Sequence, residues 1–90
     1  MDPIREGMDG AAVEDIQERL DRLGYEIDAD EREKGSFGKS TATAVAKFRL
    51  DHDLSLGSEV DSATWAALVD EGYELGDRTL YLRLPNQHGR

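Results

Sequence analysis

Apolar residues recur along the chain at helical spacing in three places. Val13, Ile16, Leu20 and Leu23 step by three, four and three, which predicts a helix from about Ala11 to the stop at Gly24. Its charges agree with the helix dipole, with Glu14 and Asp15 in the first turn and Arg19 and Arg22 in the last turns. Thr41, Ala44, Val45 and Phe48 form the second apolar face, on a helix from about Lys39 to His52, and its short Ala residues allow a second helix to approach closely. The third helix starts after Asp61, a good N-cap, and runs from Ser62 to about Glu71, where Gly72 ends it; its apolar face is Trp65, Leu68 and Val69.

The connections read differently. Residues 1–10 form an extended lead-in with turn chemistry at Gly7, Asp9 and Gly10. Tyr25 to Lys34 lacks periodicity and reads as an acidic, mostly solvated loop, with Tyr25 and Ile27 packing back on the core. The turn Gly35-Ser36-Phe37-Gly38 delivers Phe37 to the core just before the central helix, and Leu54 and Leu56 return to the core after it. Near the end, Leu80, Leu82 and Leu84 alternate with Tyr81 and Arg83, a strand-like period of two that Pro85 breaks. Leu82-Arg83 followed by Gly89 resembles Ile4-Arg5 followed by Gly10, as the start of a second copy would. The pattern therefore predicts an all-α fold, a small three-helix bundle over residues 1–72. Residues 73–90 follow as a short extended tail, the linker and lead-in to a truncated second repeat. Phe37, Phe48 and Trp65 are expected to fill the core.

Bulk properties narrow the functions. Ninety residues make one domain with a small core. A net charge of −9 argues against nucleic acid and anionic membrane surfaces and suits a neutral or cationic partner, such as a basic protein. No apolar run approaches a membrane span, and nothing in Met1 to Glu6 resembles a signal peptide, so a cytoplasmic location stays open. With no cysteine, and with His52 and His88 far apart, no metal site is expected. The acidic run from Asp28 lacks the Gly and Glu of a calcium loop, having Glu33 and Lys39 in those places. No cofactor is implied, no nucleophile–base pair is evident, and no catalytic residue is assigned.

Two strings together resemble a known family. The first is Ile4 to Tyr25, I-R-E-G-M-D-G-A-A-V-E-D-I-Q-E-R-L-D-R-L-G-Y. The second is G-S-F-G-K-S-T-A-T-A-V-A-K-F-R, followed by L-G-S-E-V-D-S-A-T-W-A-A-L. In order and at this spacing they resemble the peptidoglycan-binding domain of bacterial cell-wall hydrolases, a three-helix module, over residues 4–71. The tail G-D-R-T-L-Y-L-R resembles the joint between tandem modules of actinobacterial N-acetylmuramoyl-L-alanine amidases. The resemblance implies a non-catalytic module that binds peptidoglycan and targets a linked hydrolase, with a cell-wall or extracellular location. The chain departs from the family pattern at turn and polar positions: Lys34 stands before Gly35 in place of Asp, Arg49 follows Phe48 in place of Gln, Gly57-Ser58 replaces Asp-Gly, and Asp61 replaces Gly. These departures also leave open a protein-interaction module that keeps the fold without binding sugar.

The resemblance makes Gln17, Tyr25, Lys34, Arg49 and Tyr73 the candidate ligand contacts. Tyr25 and Tyr73 each follow a helix-ending glycine and are balanced between packing and ligand contact. Gln17 and Arg49 flank apolar helix faces, where the competing role is a buried hydrogen bond between helices. Arg49 could alternatively grip a carboxylate of a wall stem peptide through its guanidinium fork.

Overall fold

The computed structural model describes residues 2–72. They form α1 (Ala11–Arg22), α2 (Ala29–Lys34), α3 (Lys39–Asp51) and α4 (Ser62–Gly72). The three helices read from the apolar periods are α1, α3 and α4. The short α2 lies in the segment expected to be loop.

One apolar core holds these elements together. Val13, Ile16 and Leu20 of α1 meet Ala44, Val45 and Phe48 of α3, with Phe37, Val60 and Leu68 closing the sides. Phe37 and Phe48 are both buried, as their spacing predicted. Trp65 is a correction: it is half-buried, packed at the margin of the core, with the Arg19 guanidinium 5.4 Å from its ring centre. A face-on cation covers an indole without full burial, so a helical position at the edge of the bundle accommodates it. Leu56 is also corrected: it is 83% exposed, while Leu54 is half-buried. Val69 too is exposed on the outer side of α4.

Two isolated antiparallel bridges tie the lead-in to the bundle, Ile4 to Val60 and Asp9 to Ser36. The Phe37 amide donates to the Met8 carbonyl at 2.9 Å, and the Gly7 amide donates to the Phe37 carbonyl at 3.0 Å. The turn before α3 is thus fixed by backbone bonds to residues nearly thirty positions earlier. Gly35 is needed there twice over. Its φ is +63°, and a Cβ on it would sit 2.7 Å from a Glu14 carboxylate oxygen.

The core contains polar bonds as well. Arg49 is buried. Its Nε donates to the Ser55 carbonyl at 2.9 Å, and its Nη1 donates to the Glu59 carbonyl at 2.6 Å and to Thr64 Oγ1 at 2.9 Å. Asp61 caps α4 by accepting from the Thr64 amide at 2.9 Å and the Thr64 hydroxyl at 2.7 Å. Those bonds hold the Asp61 carboxyl below its ordinary pKa, with the nearby Arg49 charge adding to them.

Two substitutions test this core. Phe48→Ala removes a fully buried ring and is expected to cost about 3–5 kcal/mol, most of the roughly 5 kcal/mol a domain this small holds. Helical circular dichroism should be largely lost at 37 °C. Arg49→Lys keeps the charge but cannot reach the same carbonyls and hydroxyls, and urea denaturation should show a loss of about 2–3 kcal/mol.

Candidate functional site

Among the described residues, a concavity lies where the end of α1 meets the polar side of α3. A Schellman-type turn builds one wall. Gly24 adopts φ +95°, and the Tyr25 amide donates back to the Leu20 carbonyl at 3.0 Å. This turn lays the Tyr25 ring edge-on against Phe48, with centroids 5.8 Å apart and planes at 77°. The other wall is α3, whose Ser40, Thr43, Lys47, Leu50 and Asp51 line the groove opposite Gly24, Tyr25 and Glu26. The groove encloses about 780 Å³, within the size range of small-ligand sites.

Its polar groups are partly committed. The Tyr25 hydroxyl donates to Asp51 Oδ2 at 2.5 Å. Burial first, then that hydrogen bond and the charges of Asp51 and Glu71, push the Tyr25 pKa up to about 12. The phenol therefore stays neutral and keeps donating through the physiological range. Lys47 and Asp51 are one helical turn apart, a spacing at which Lys and Asp commonly pair. Here Asp51 is engaged by Tyr25, and among the described residues Lys47 makes no ion pair.

A second cluster holds the start of α3 in place. The N-cap of α3 is Gly38, which offers no side chain to its first amides. The Glu31 carboxylate of α2 takes that role from a distance. It accepts from the amides of Gly38 at 3.1 Å, Ser40 at 3.0 Å and Thr41 at 2.9 Å, and from the Thr41 hydroxyl at 2.7 Å. A Cβ at Gly38 would lie 2.6 Å from this carboxylate, so the glycine makes room for it. Partial burial alone would raise the Glu31 pKa, but the bonds from Thr41 and Ser40 outweigh it and hold the carboxyl at about 2. Gln17 completes the cluster. Its amide nitrogen donates to the Ser36 carbonyl at 2.9 Å and to Thr41 Oγ1 at 3.1 Å.

The candidates named from sequence thus separate. Gln17 and Arg49 are buried and bonded inward, in the inter-helix role weighed against ligand contact. Tyr25 lines the groove. Lys34 is exposed at the end of α2, outside the groove lining. Tyr73 falls outside the described residues, as do the strand-like run at 80–84 and the tail. Lys47, Asp51, Ser40 and Thr43 were not singled out from sequence. The available signal was their helical spacing on the polar side of α3, on the same helix as a buried Phe48. Glu31 was read as part of a solvated loop; the signal for it was a helix that begins at glycine and so needs an acceptor from elsewhere. Among the described residues, no three His, Asp or Glu side chains converge to hold a metal, and no helix is long and apolar enough to cross a membrane.

Comparison with known proteins gives consistent results. Residues 9–68 match the profile of the family described as "Putative peptidoglycan binding domain". A crystal structure of a peptidoglycan-binding protein from Clostridioides difficile, in complex with glutamine hydroxamate, is similar at 34% identity with a TM-score of 0.67. The match covers 74% of this chain and 40% of that one, so the chain spans well under half of that protein's length. The crystal structure of the SleB N-terminal domain is similar at 26% identity with a TM-score of 0.71, covering 78% of this chain and 92% of that one. No curated protein sequence matches the chain.

The Glu31 cluster generates a pH prediction. Its pKa is lowered on folding, so the stability it contributes is complete above the ordinary carboxyl value of 4.5 and is lost as pH falls toward about 2. Glu31→Gln should cost about 1–2 kcal/mol at pH 7, the range of a lost helix cap. Thermal melts of the two proteins across pH 7 to 2 should converge at the acid end. A gap that stays constant with pH would contradict the role of the carboxylate charge.

Proposed function

The chain belongs to the peptidoglycan-binding domain family, and from that membership we propose that it is a non-catalytic module that holds a linked hydrolase on the bacterial cell wall. The linked enzyme is an N-acetylmuramoyl-L-alanine amidase, by the resemblance of the tail to the joint between modules in such enzymes. Binding occurs in the groove between Gly24–Glu26 and α3, which Tyr25 lines, and Lys34 contacts the polymer outside it; Tyr73 is a further proposed contact. Gln17 and Arg49 act indirectly, by fixing the helices that form the walls.

The observation that carries this reading is the family match over residues 9–68 together with a ligand-sized groove inside that span. Tethering raises the local concentration of substrate for the linked enzyme, an advantage that requires no chemistry in the module. A cell-wall location follows from this role.

Sedimentation with insoluble sacculi tests it. The 90-residue chain should pellet at low and moderate salt. Leu50 is exposed in the groove, so Leu50→Glu should leave the fold intact and weaken binding on the order of tenfold, about 1.4 kcal/mol. Leu56→Glu, on a residue outside the groove lining, should bind as the parent does. If the chain stays in the supernatant at every salt concentration, the reading is wrong.

A further inference from the structure

The groove lining says which part of the wall polymer it takes. Sugar-binding sites offer exposed aromatic faces on which rings stack. Here Phe37 and Phe48 are buried, and the groove's aromatic side chain is a single one, Tyr25, whose hydroxyl is bonded to Asp51. What the groove presents instead is separated charge. Lys47 carries a cation that no acidic group answers among the described residues. One turn along the same helix, Asp51 offers its second carboxylate oxygen, and Glu26 stands on the facing wall. Side chains one turn apart have Cβ atoms about 5–6 Å from each other. That spacing brackets a group carrying an ammonium and a carboxylate on one carbon.

We infer that the groove recognises a zwitterionic amino-acid terminus, the free end of a diamino-acid side chain in a stem peptide, with Lys47 on its carboxylate and Asp51 and Glu26 on its ammonium. The inference rests on the wall-binding reading and makes it specific to the peptide. Tyr25 is a positioning residue: its hydroxyl holds Asp51 away from Lys47 and so keeps the two charges available for ligand. Leu50, exposed in the groove, supplies the apolar surface against which the methylene stem of the diamino acid lies. The Asp51 pole is preset by its bond from Tyr25, so little ordering cost falls on that side of the site.

The probes are stem peptides ending in a diamino acid with both groups free, the same peptide with that amine acetylated, the same peptide with that carboxylate amidated, and a peptide-free glycan oligomer. Each is titrated into the 15N-labelled 90-residue chain. The free-ended peptide should shift the amide signals of Tyr25, Lys47 and Asp51, and each blocked peptide should bind on the order of tenfold more weakly. Lys47→Met should abolish the penalty for amidation while keeping that for acetylation, and Asp51→Asn combined with Glu26→Gln should do the reverse. Tyr25→Phe should weaken binding of the free-ended peptide in the parent chain and have no further effect in a Lys47→Met background. Equal binding of blocked and free peptides, or preference for the glycan, overturns the assignment. If sacculi still pellet the chain in that case, the module reading survives. If sacculi do not, both fall.

Discussion

The rest of the domain depends on one hydroxyl, that of Thr41. It donates to Glu31 at 2.7 Å and accepts from the Gln17 amide at 3.1 Å. Those two bonds join α1, α2 and the start of α3 at a point where apolar packing alone cannot set the register. A small core fixes which faces meet but leaves helices free to slide or rotate, because apolar contact has no direction. A buried hydrogen-bonded chain does not allow that freedom, since each member left unpaired carries a desolvation cost. The Gly38 position belongs to the same device, because a side chain there would displace the carboxylate.

The second half of the bundle repeats the arrangement. Arg49 donates to the Thr64 hydroxyl, which donates to Asp61, as Gln17 donates to the Thr41 hydroxyl, which donates to Glu31. A long donor on one helix, a threonine in the first turn of a later helix and a carboxylate capping that turn make up each unit. Gln17, Thr41, Arg49 and Thr64 are also the buried polar residues of the described chain, so its polar interior consists of these two units. This explains the departures at Arg49 and Asp61 from the family pattern. A guanidinium in place of an amide brings a buried charge, and Asp61 lies 3.5 Å from it to compensate.

Much of this was legible in the residues. The three long helices followed from apolar spacing, the end of α1 from Gly24 and the start of α4 from Asp61, because those signals are local. Phe37 and Phe48 were placed correctly for the same reason. Trp65, Val69 and Leu56 were set too deep. Helical spacing identifies a face, but the depth of each residue depends on how far the neighbouring helix extends. The short α2 could not be read from its sequence, because one alanine among five charged residues makes no apolar face, and its fixed place comes from bonds that Glu31 makes to residues seven to ten positions later. The groove was partly visible through Tyr25. Its other wall belongs to a helix separated from Tyr25 by α2 and a turn, and only the folded chain sets them opposite each other.

The inward commitment of the four buried polar residues has an evolutionary consequence. The four buried polar residues lie outside the groove lining, so on the wall-binding proposal these bundle-fixing positions and the charged groove positions are selected separately. A lineage facing a cell envelope of altered composition could exchange Lys47, Asp51 or Glu26 without disturbing either threonine-centred unit. The scaffold would then persist while its preference drifts, with the same backbone reused against successive forms of the polymer.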